Sequence, residues 1–436
     1  MASISSLFLF NPTLLPQSAK PTDEEYTLCK LLYYYPESAP LYEQQSHIGL
    51  AEGLMLFVGQ FSQEQLQTIR TERHSHVLLQ CEPNIWLCLI LQHPPEPSIV
   101  READQMYSDD VLRRLAHRFY LHFYLFHGAF SAYSDLPALR TTLTDFTQVF
   151  VLEFMAEGVD FEGFYYCPLD KKVFLLVQFL LNQVTTQRES VLHTLVFFDG
   201  YFVSSSLPHE ATLTLYSYCC RDRNWQRLQG LKRSLDPSLC VYGRLPGYPK
   251  QGYVYGLNGG QVTTPTVQFA GSEQQFRLVL WADQGLQLVL LLAPEEYAAD
   301  WLQDLGEVLL PQAEAIRTAI KPQLQRHLQQ EDNFRFIYYN KMNFALKKSA
   351  RLGELDAPTL VSLGNIAAKF NERAEYADGV VRSVVKTQSH WVFAVNSLDA
   401  RQIFVLFPNT SQAAIKVEED ALRFINYYFS NVFLGL

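Results

Sequence analysis

The sequence predicts an α/β protein built on antiparallel sheet, with one strand–strand–helix–three strands–helix pattern repeated three times. Three observations carry this. Paired apolar runs restart the pattern at "SLFLFNP" (6–12), "TLVFFDGYFVSSS" (194–206) and "FRFIYYNKMNFALKKS" (334–349). Each pair is followed by a segment of helical apolar spacing, more strand-like runs and a closing helix. The 436 residues correspond to roughly three domains of about 150 residues, and a hydrophobic content of 48% suffices to give each a packed core.

In the first repeat, "SLFLFNP" pairs with "YTLCKLLYYYP" (26–36) across a polar spacer. Ile48, Ala51, Met55, Val58 and Phe61 or Ser62 then recur at roughly helical spacing through 41–62. "SHVLLQCEP" (75–83) and "IWLCLILQHP" (85–94) read as strands. A closing helix over 108–130 places Leu112, Leu115, Phe119, Phe123, Phe126 and Phe130 on one face, with Ser108 and Asp109-Asp110 as its N-cap and first turn. A second closing helix is expected over 136–155.

The second repeat opens with an extra helix, "PLDKKVFLLVQFLLNQV" (168–184). Asp199-Gly200 is a two-residue hairpin turn between apolar runs. A helix over 209–220 and strands within 253–294 follow, while 222–265 reads as an irregular loop with exposed hairpins. Trp301, Leu305, Val308, Ile316, Ile320 and Leu324 mark a long helix, expected to bend at Pro311 and Pro322. The third repeat starts with the aromatic hairpin at 334. Its helix has the stripe Leu360, Leu363, Ile366 or Ala367, and Phe370, with Pro358 in the first turn. Strands within 379–409 lead to a last helix marked by Leu422, Ile425, Phe429 and Val432. The expected domains are therefore 1–158, 159–330 and 331–436.

Composition narrows the function. A net charge of −10 disfavours a nucleic-acid partner, because neutralising phosphates requires a basic surface. The longest apolar runs are shorter than the ~18 residues needed to cross a bilayer. The N-terminus has no basic leader and Pro12 interrupts its apolar stretch, so no signal peptide is expected. Seven cysteines without a C-x-x-C pair argue against a disulfide framework or a zinc ribbon, and point to the cytosol.

Catalytic patterns are missing. There is no G-x-x-x-x-G-K-[ST] loop, no G-x-G-x-x-G after a strand and no G-x-S-x-G elbow. "GLNGGQV" (256–262) reads as a turn and "SSS" (204–206) as turn chemistry. His74 and His76 share a strand face but lack a third ligand. His117, His122 and His127 are five apart, which turns each by about 140° from the last. Paired carboxylates such as Asp109-Asp110 fall at expected helix starts, where they complement the helix dipole. No catalytic residue, cofactor or metal site is expected. One charged cluster remains: Lys341, Lys347, Lys348 and Arg351 lie within eleven residues that contain no acid. It is either an ordinary solvated hairpin or a contact for an anionic membrane or acidic partner.

"LLYYYPES" and "HIGLAEGLMLFVGQFS" (47–62), "CPLDKKVFLLVQFLLNQV" (167–184), the hairpin at 334, "KTQSHWVFAVNSLDARQIFVLFPN" (386–409) and "FINYYFSNVFL" (424–434) together resemble the vacuolar fusion proteins of the calcium–caffeine–zinc sensitivity family. The resemblance runs in order along most of the chain. It implies three longin-like repeats, each an antiparallel-rich five-stranded sheet flanked by helices. It further implies pairing with another tri-longin chain, the monensin-sensitivity protein, to form the guanine-nucleotide exchange factor of the late-endosomal Rab GTPase. A third regulatory subunit joins in animals. The first longin domains of the two chains dimerise, and their composite surface engages the GTPase.

The resemblance thus implies a cytoplasmic regulator, recruited peripherally to late endosome, lysosome or vacuole, with no covalent chemistry of its own. The expected interface residues are Tyr34, Tyr35 and Pro36 at the end of the second strand, and Gly49, Leu50 and Glu52 on the following helix. The tyrosines would serve as exposed aromatic anchors, and Gly49 would permit close backbone approach. The alternative assigns the tyrosines and Leu50 to the core and Gly49 to helix packing. A tri-longin scaffold without exchange activity is the competing function, and a soluble α/β enzyme would require a convergent polar pocket.

Overall fold

The computed structural model describes residues 3–17, 20–62, 67–93, 107–157, 162–220, 251–258, 261–294, 299–329, 335–349, 355, 357–374, 380–397, 400–409 and 413–430. The chain forms two compact units that divide between Val159 and Asp160; the first contains one sheet and the second two.

The first sheet has the order β2-β1-β5-β4-β3, all antiparallel. Its strands are β1 (Ser3–Phe10), β2 (Leu31–Tyr35), β3 (Thr68–Arg70), β4 (His74–Glu82) and β5 (Ile85–Gln92). A short helix α1 (Asp23–Leu28) occupies the expected polar spacer, started by a capping box between Thr22 and Glu25. Helix α2 (Leu41–Gly59) follows β2, and α3 (Asp109–His127) and α4 (Leu136–Glu157) close the repeat. Side chains alternate across a strand. Phe8, Phe10, Trp86, Cys88 and Ile90 therefore pack with Ile48 and Ala51 of α2 on one face. Leu7, Leu9, Leu87, Leu89 and Leu91 are buried on the other. A strand covered on both faces has no polar alternation left, hence the continuous run "IWLCLILQ". Glu82 is buried at the end of β4, where its carboxylate accepts hydrogen bonds from Phe130 N (2.6 Å), Ser131 N (3.0 Å) and Tyr120 Oη (3.2 Å). That fixes the turn between α3 and α4.

The second sheet has the order β7-β6-β12-β11-β8-β9, with β10 also on β11. It thus has seven strands rather than the expected five. They are β6 (Val191–Phe198), β7 (Tyr201–Ser205), β8 (Gln251–Asn258), β9 (Gln261–Thr263), β10 (Thr266–Gln268), β11 (Gln275–Asp283) and β12 (Leu286–Leu292). Of the short strands, β9 lies within the stretch read as an irregular loop, and β10 falls among the strands expected within 253–294. Gly-rich and Pro-rich composition lowered the strand signal of β9, and pairing with β8 restored it. Asp199 (φ 47°) and Gly200 (φ 76°) form the expected tight turn, both in the left-handed region that such a hairpin requires. Helix α5 (Lys171–Gln187) precedes the sheet, α6 (His209–Cys220) follows β7, and α7 (Ala299–Gln329) closes the repeat. α5 and α7 share one core with the sheet. Both prolines of α7 are accommodated inside one continuous helix.

The third sheet, β14-β13-β17-β16-β15, repeats the order of the first. Its strands are β13 (Arg335–Asn340), β14 (Ala345–Lys348), β15 (Val381–Lys386), β16 (His390–Asn396) and β17 (Arg401–Pro408). Helix α8 (Ala357–Ala374) covers one face and α9 (Ala414–Tyr428) the other. The hairpin turn takes in residues 341–344, so the second strand starts later than the alternation of Met342, Phe344 and Leu346 suggested. Val432 lies outside the described residues.

Within the second unit, residues 163–167 strap two sheet edges together. Phe164 N donates to Phe344 O (2.6 Å), and Leu346 N to Phe164 O (2.8 Å), beside β14. Phe202 N donates to Tyr165 O (2.7 Å), and Cys167 N to Phe202 O (2.8 Å), beside β7. A Cβ on Gly163 would stand 2.6 Å from Phe344 O, so only glycine fits. Gly163→Val is therefore expected to destabilise the second unit by about 1–3 kcal/mol through overpacking against backbone. Faster amide exchange at Phe164, Leu346 and Phe202 would register it, and unchanged exchange there would refute the strap.

Candidate functional site

The chain between β2 and α2 is shaped by proline. The Tyr35–Pro36 bond is cis, Ala39 N donates to Pro36 O (3.0 Å), and Pro40 holds the N-cap position of α2. The helix that follows, polar over Glu43–His47, carries apolar residues on both its inner and its outer side in its C-terminal half. Ile48 and Ala51 are buried and Met55 half-buried against the sheet. Leu41, Tyr42, Leu50, Leu56 and Phe57 are exposed on the outside, and Phe61, just beyond the helix, is 76% exposed. The Phe57 and Phe61 rings touch, with centroids 5.0 Å apart. A helix apolar on both sides is one that is covered on both. Gly49 and Gly53 lie one turn apart and are exposed, and a Cβ on either would meet nothing within 4 Å. They leave the backbone of α2 bare to a close approach from outside.

Beneath α2 lies a polar seam. Tyr34 Oη shares a hydrogen bond of 2.7 Å with His47 Nδ1. The Phe8, Tyr34 and His47 rings are stacked, His47 meets His76 edge-on at 5.8 Å, and His76 meets His74 at 6.3 Å. Burial pushes the Tyr34 hydroxyl up to about 12. Burial, reinforced by the neighbouring His47 and His74, lowers His76 to about 4, and burial lowers His47. Tyr34, His47 and His76 are therefore neutral at pH 7. Glu52 forms an ion pair with the buried Lys30, whose ammonium also lies 4.6 Å from the centroid of Tyr26.

This geometry redistributes the residues expected at the interface. Tyr34 is 6% exposed and is an inner-seam residue, not an exposed anchor. It occupies the strand position that faces α2, where burial is obligatory. Tyr35 and Pro36 are half-buried, and Glu52 is held by Lys30. Gly49 and Leu50 do lie on the outer face. Phe61, placed by spacing on the inner stripe, is outside. Sequence reading passed over Leu41, Tyr42, Leu56 and Phe57. For Leu56 and Phe57 the signal was "LMLF" (54–57), since four consecutive apolar residues cannot share one helix face.

The basic cluster of the third repeat is not gathered on one surface. Lys347 and Lys348 are consecutive on β14, so they leave opposite faces of the sheet. Lys347 Nζ lies 5.6 Å from the centroid of Phe336, and Lys348 Nζ 6.0 Å from that of Tyr165. Lys341 is half-buried in the turn beside the exposed Met342. Arg351 lies outside the described residues. Among the described residues, no group of three His, Cys, Asp or Glu could hold a metal ion.

The histidine seam predicts a pH dependence. Folding keeps His76 neutral between its ordinary 6.5 and about 4, while the unfolded chain takes up a proton below 6.5. Protons then bind preferentially to the unfolded state, so stability falls as pH drops through that window. Half-buried His127, whose pKa burial also lowers, adds an effect of the same sign. The melting temperature is expected to fall between pH 7 and 5, and His76→Gln to flatten part of that slope. An unchanged slope in the variant would refute the assignment.

Comparison with known proteins agrees with this architecture. Residues 4–128, from β1 through α3, match the model of the first longin domain of INTU, CCZ1 and HPS4. Along its length the chain is similar to proteins named vacuolar fusion protein CCZ1 homolog. Identity is 25% to that of Nematostella vectensis, over 98% of this chain and 97% of the relative. It is 22% to that of Dictyostelium discoideum, over 93% of each. It is 22% to that of Xenopus tropicalis, over 99% and 97%. With a matching first longin domain and similarity from end to end, the chain is similar throughout its length to the CCZ1 homologs named as vacuolar fusion proteins.

Proposed function

We propose that the chain acts in membrane trafficking at the late endosome and vacuole or lysosome, as one subunit of a heteromeric guanine-nucleotide exchange factor for the late-endosomal Rab GTPase. The observation that carries this is α2, apolar on its outer side as well as its inner one, in the repeat that matches the first longin domain. Its sister subunit is the tri-longin monensin-sensitivity protein, with which it shares a composite surface for the GTPase, and a third regulatory subunit is compatible with the same assembly. The relatives' name, vacuolar fusion protein, supports the cellular role. Exchange needs no covalent chemistry: the complex binds the nucleotide-free GTPase better than the loaded form and shifts the population toward it. Membrane contact is peripheral in this reading, and no helix among the described residues is long and apolar enough to cross a membrane.

A fluorescent-nucleotide release assay tests the proposal. The co-purified pair should accelerate release from the late-endosomal Rab, and this chain alone should do little. Because centrally buried aromatic anchors dominate interfaces, Phe57→Asp with Leu56→Asp should lower the pair's activity roughly tenfold or more. Both residues are exposed in the isolated chain, so its melting temperature should be retained. A pair without exchange activity would overturn the proposal. Full activity in the double variant would exclude α2 as the interface.

A further inference from the structure

The second unit carries another helix with an uncovered apolar side. α5 buries Val173, Val177, Leu180, Leu181 and Val184 in the core it shares with α7. On its other side Phe174, Leu175, Leu176 and Phe179 are exposed, Phe179 to 61%. Lys172, Leu175, Phe179, Asn182 and Thr186 follow one another at intervals of three and four and are all exposed. Their order along the helix is a cation, two large apolar residues and two uncharged polar residues. No Asp or Glu occurs between Lys171 and Gln187, in a chain of net charge −10. The preceding carboxylate, Asp170, is committed: Oδ1 accepts from Val173 N (2.9 Å) and Oδ2 from Gln323 Nε2 (2.6 Å). Lys171 and Lys172 therefore add their charge to the positive end of the helix dipole with no acid from α5 to offset it.

We infer that the outer face of α5 docks an amphipathic helix of a partner protein, with acidic residues at the end that meets Lys171 and Lys172. The surface has the anatomy of a protein interface, a charge-free aromatic and aliphatic centre within a polar rim. It lacks that of a membrane-surface helix, whose face opposite the lipid is strongly charged. The corresponding face of α5 is apolar core. Two lysines at one end attract an anionic bilayer by only about 1 kcal/mol each, but they are enough to orient an acidic helix. This face belongs to the second unit and α2 to the first, and the inference does not rest on which partner covers α2.

A synthetic 17-residue amphipathic helix tests it, carrying leucines at i, i+3 and i+7 and two glutamates at one end. Its binding to the full chain is read by fluorescence anisotropy against the same peptide with lysines replacing the glutamates. The acid-ended peptide should bind roughly tenfold tighter than the base-ended one. Lys171→Glu with Lys172→Glu should reverse that preference, and Leu175→Ser with Phe179→Ser should abolish binding of both. These side chains are exposed, so circular dichroism and melting should be unchanged. Equal binding of the two peptides, or binding of neither, overturns the inference. So does capture only by phosphatidylserine vesicles, or self-association of the chain that depends on Phe179.

Discussion

In every sheet the first strand of the repeat lies between the second and the last, and the rest of the structure depends on that pairing. β1 runs between β2 and β5, β6 between β7 and β12, and β13 between β14 and β17. Each joins residues far apart in sequence, such as Leu7 with Leu89, Leu195 with Val289, and Phe336 with Val405. Closing such long loops costs conformational entropy before any contact is gained. Burial on both faces offsets the cost, which is why β5, β12 and β17 read as nearly unbroken apolar runs. A sheet buried on both faces needs helices on both, and the helix after the second strand is one of them.

The same topology leaves edges, and the chain attends to several of them itself. Arg140 of α4 donates to Leu32 O (2.8 Å) and Leu31 O (3.1 Å) at the outer edge of β2. Residues 163–167 occupy the edges of β7 and β14. An open edge is a template for indiscriminate pairing, so covering it confines recognition to side chains. What remains for partners is the outer side of helices, and there the apolar residues gather: Leu56, Phe57 and Phe61 in the first unit, Leu175 and Phe179 in the second.

α2 shows how packing and recognition share one helix. Only Ile48 and Ala51 are deeply buried, so the Tyr34–His47 hydrogen bond and the histidine edge contacts form much of its inner seam. Satisfied polar groups fix register and orientation without requiring large apolar side chains beneath the helix. Those side chains are then available on the outside.

Repeat number, the pairing of the first two strands of each repeat and most helices were legible in the sequence, because the periods of two and 3.6 residues and the Asp199-Gly200 turn act locally. Gly49 and Leu50 were legible as surface candidates. The inward turn of Tyr34, the outward turn of Phe61 and the capture of Glu52 by Lys30 were not. Each depends on which face of α2 meets the sheet, and a helix with apolar residues on both its inner and outer sides carries little periodicity to say so. The separation of Lys347 from Lys348 followed from local alternation once β14 was fixed, but its start depended on pairing with β13. By itself the sequence determined the order of elements, since short-range stereochemistry and apolar spacing suffice for that. Tertiary structure alone decided which apolar side chains remain outside, because exposure depends on every other segment that competes to cover them.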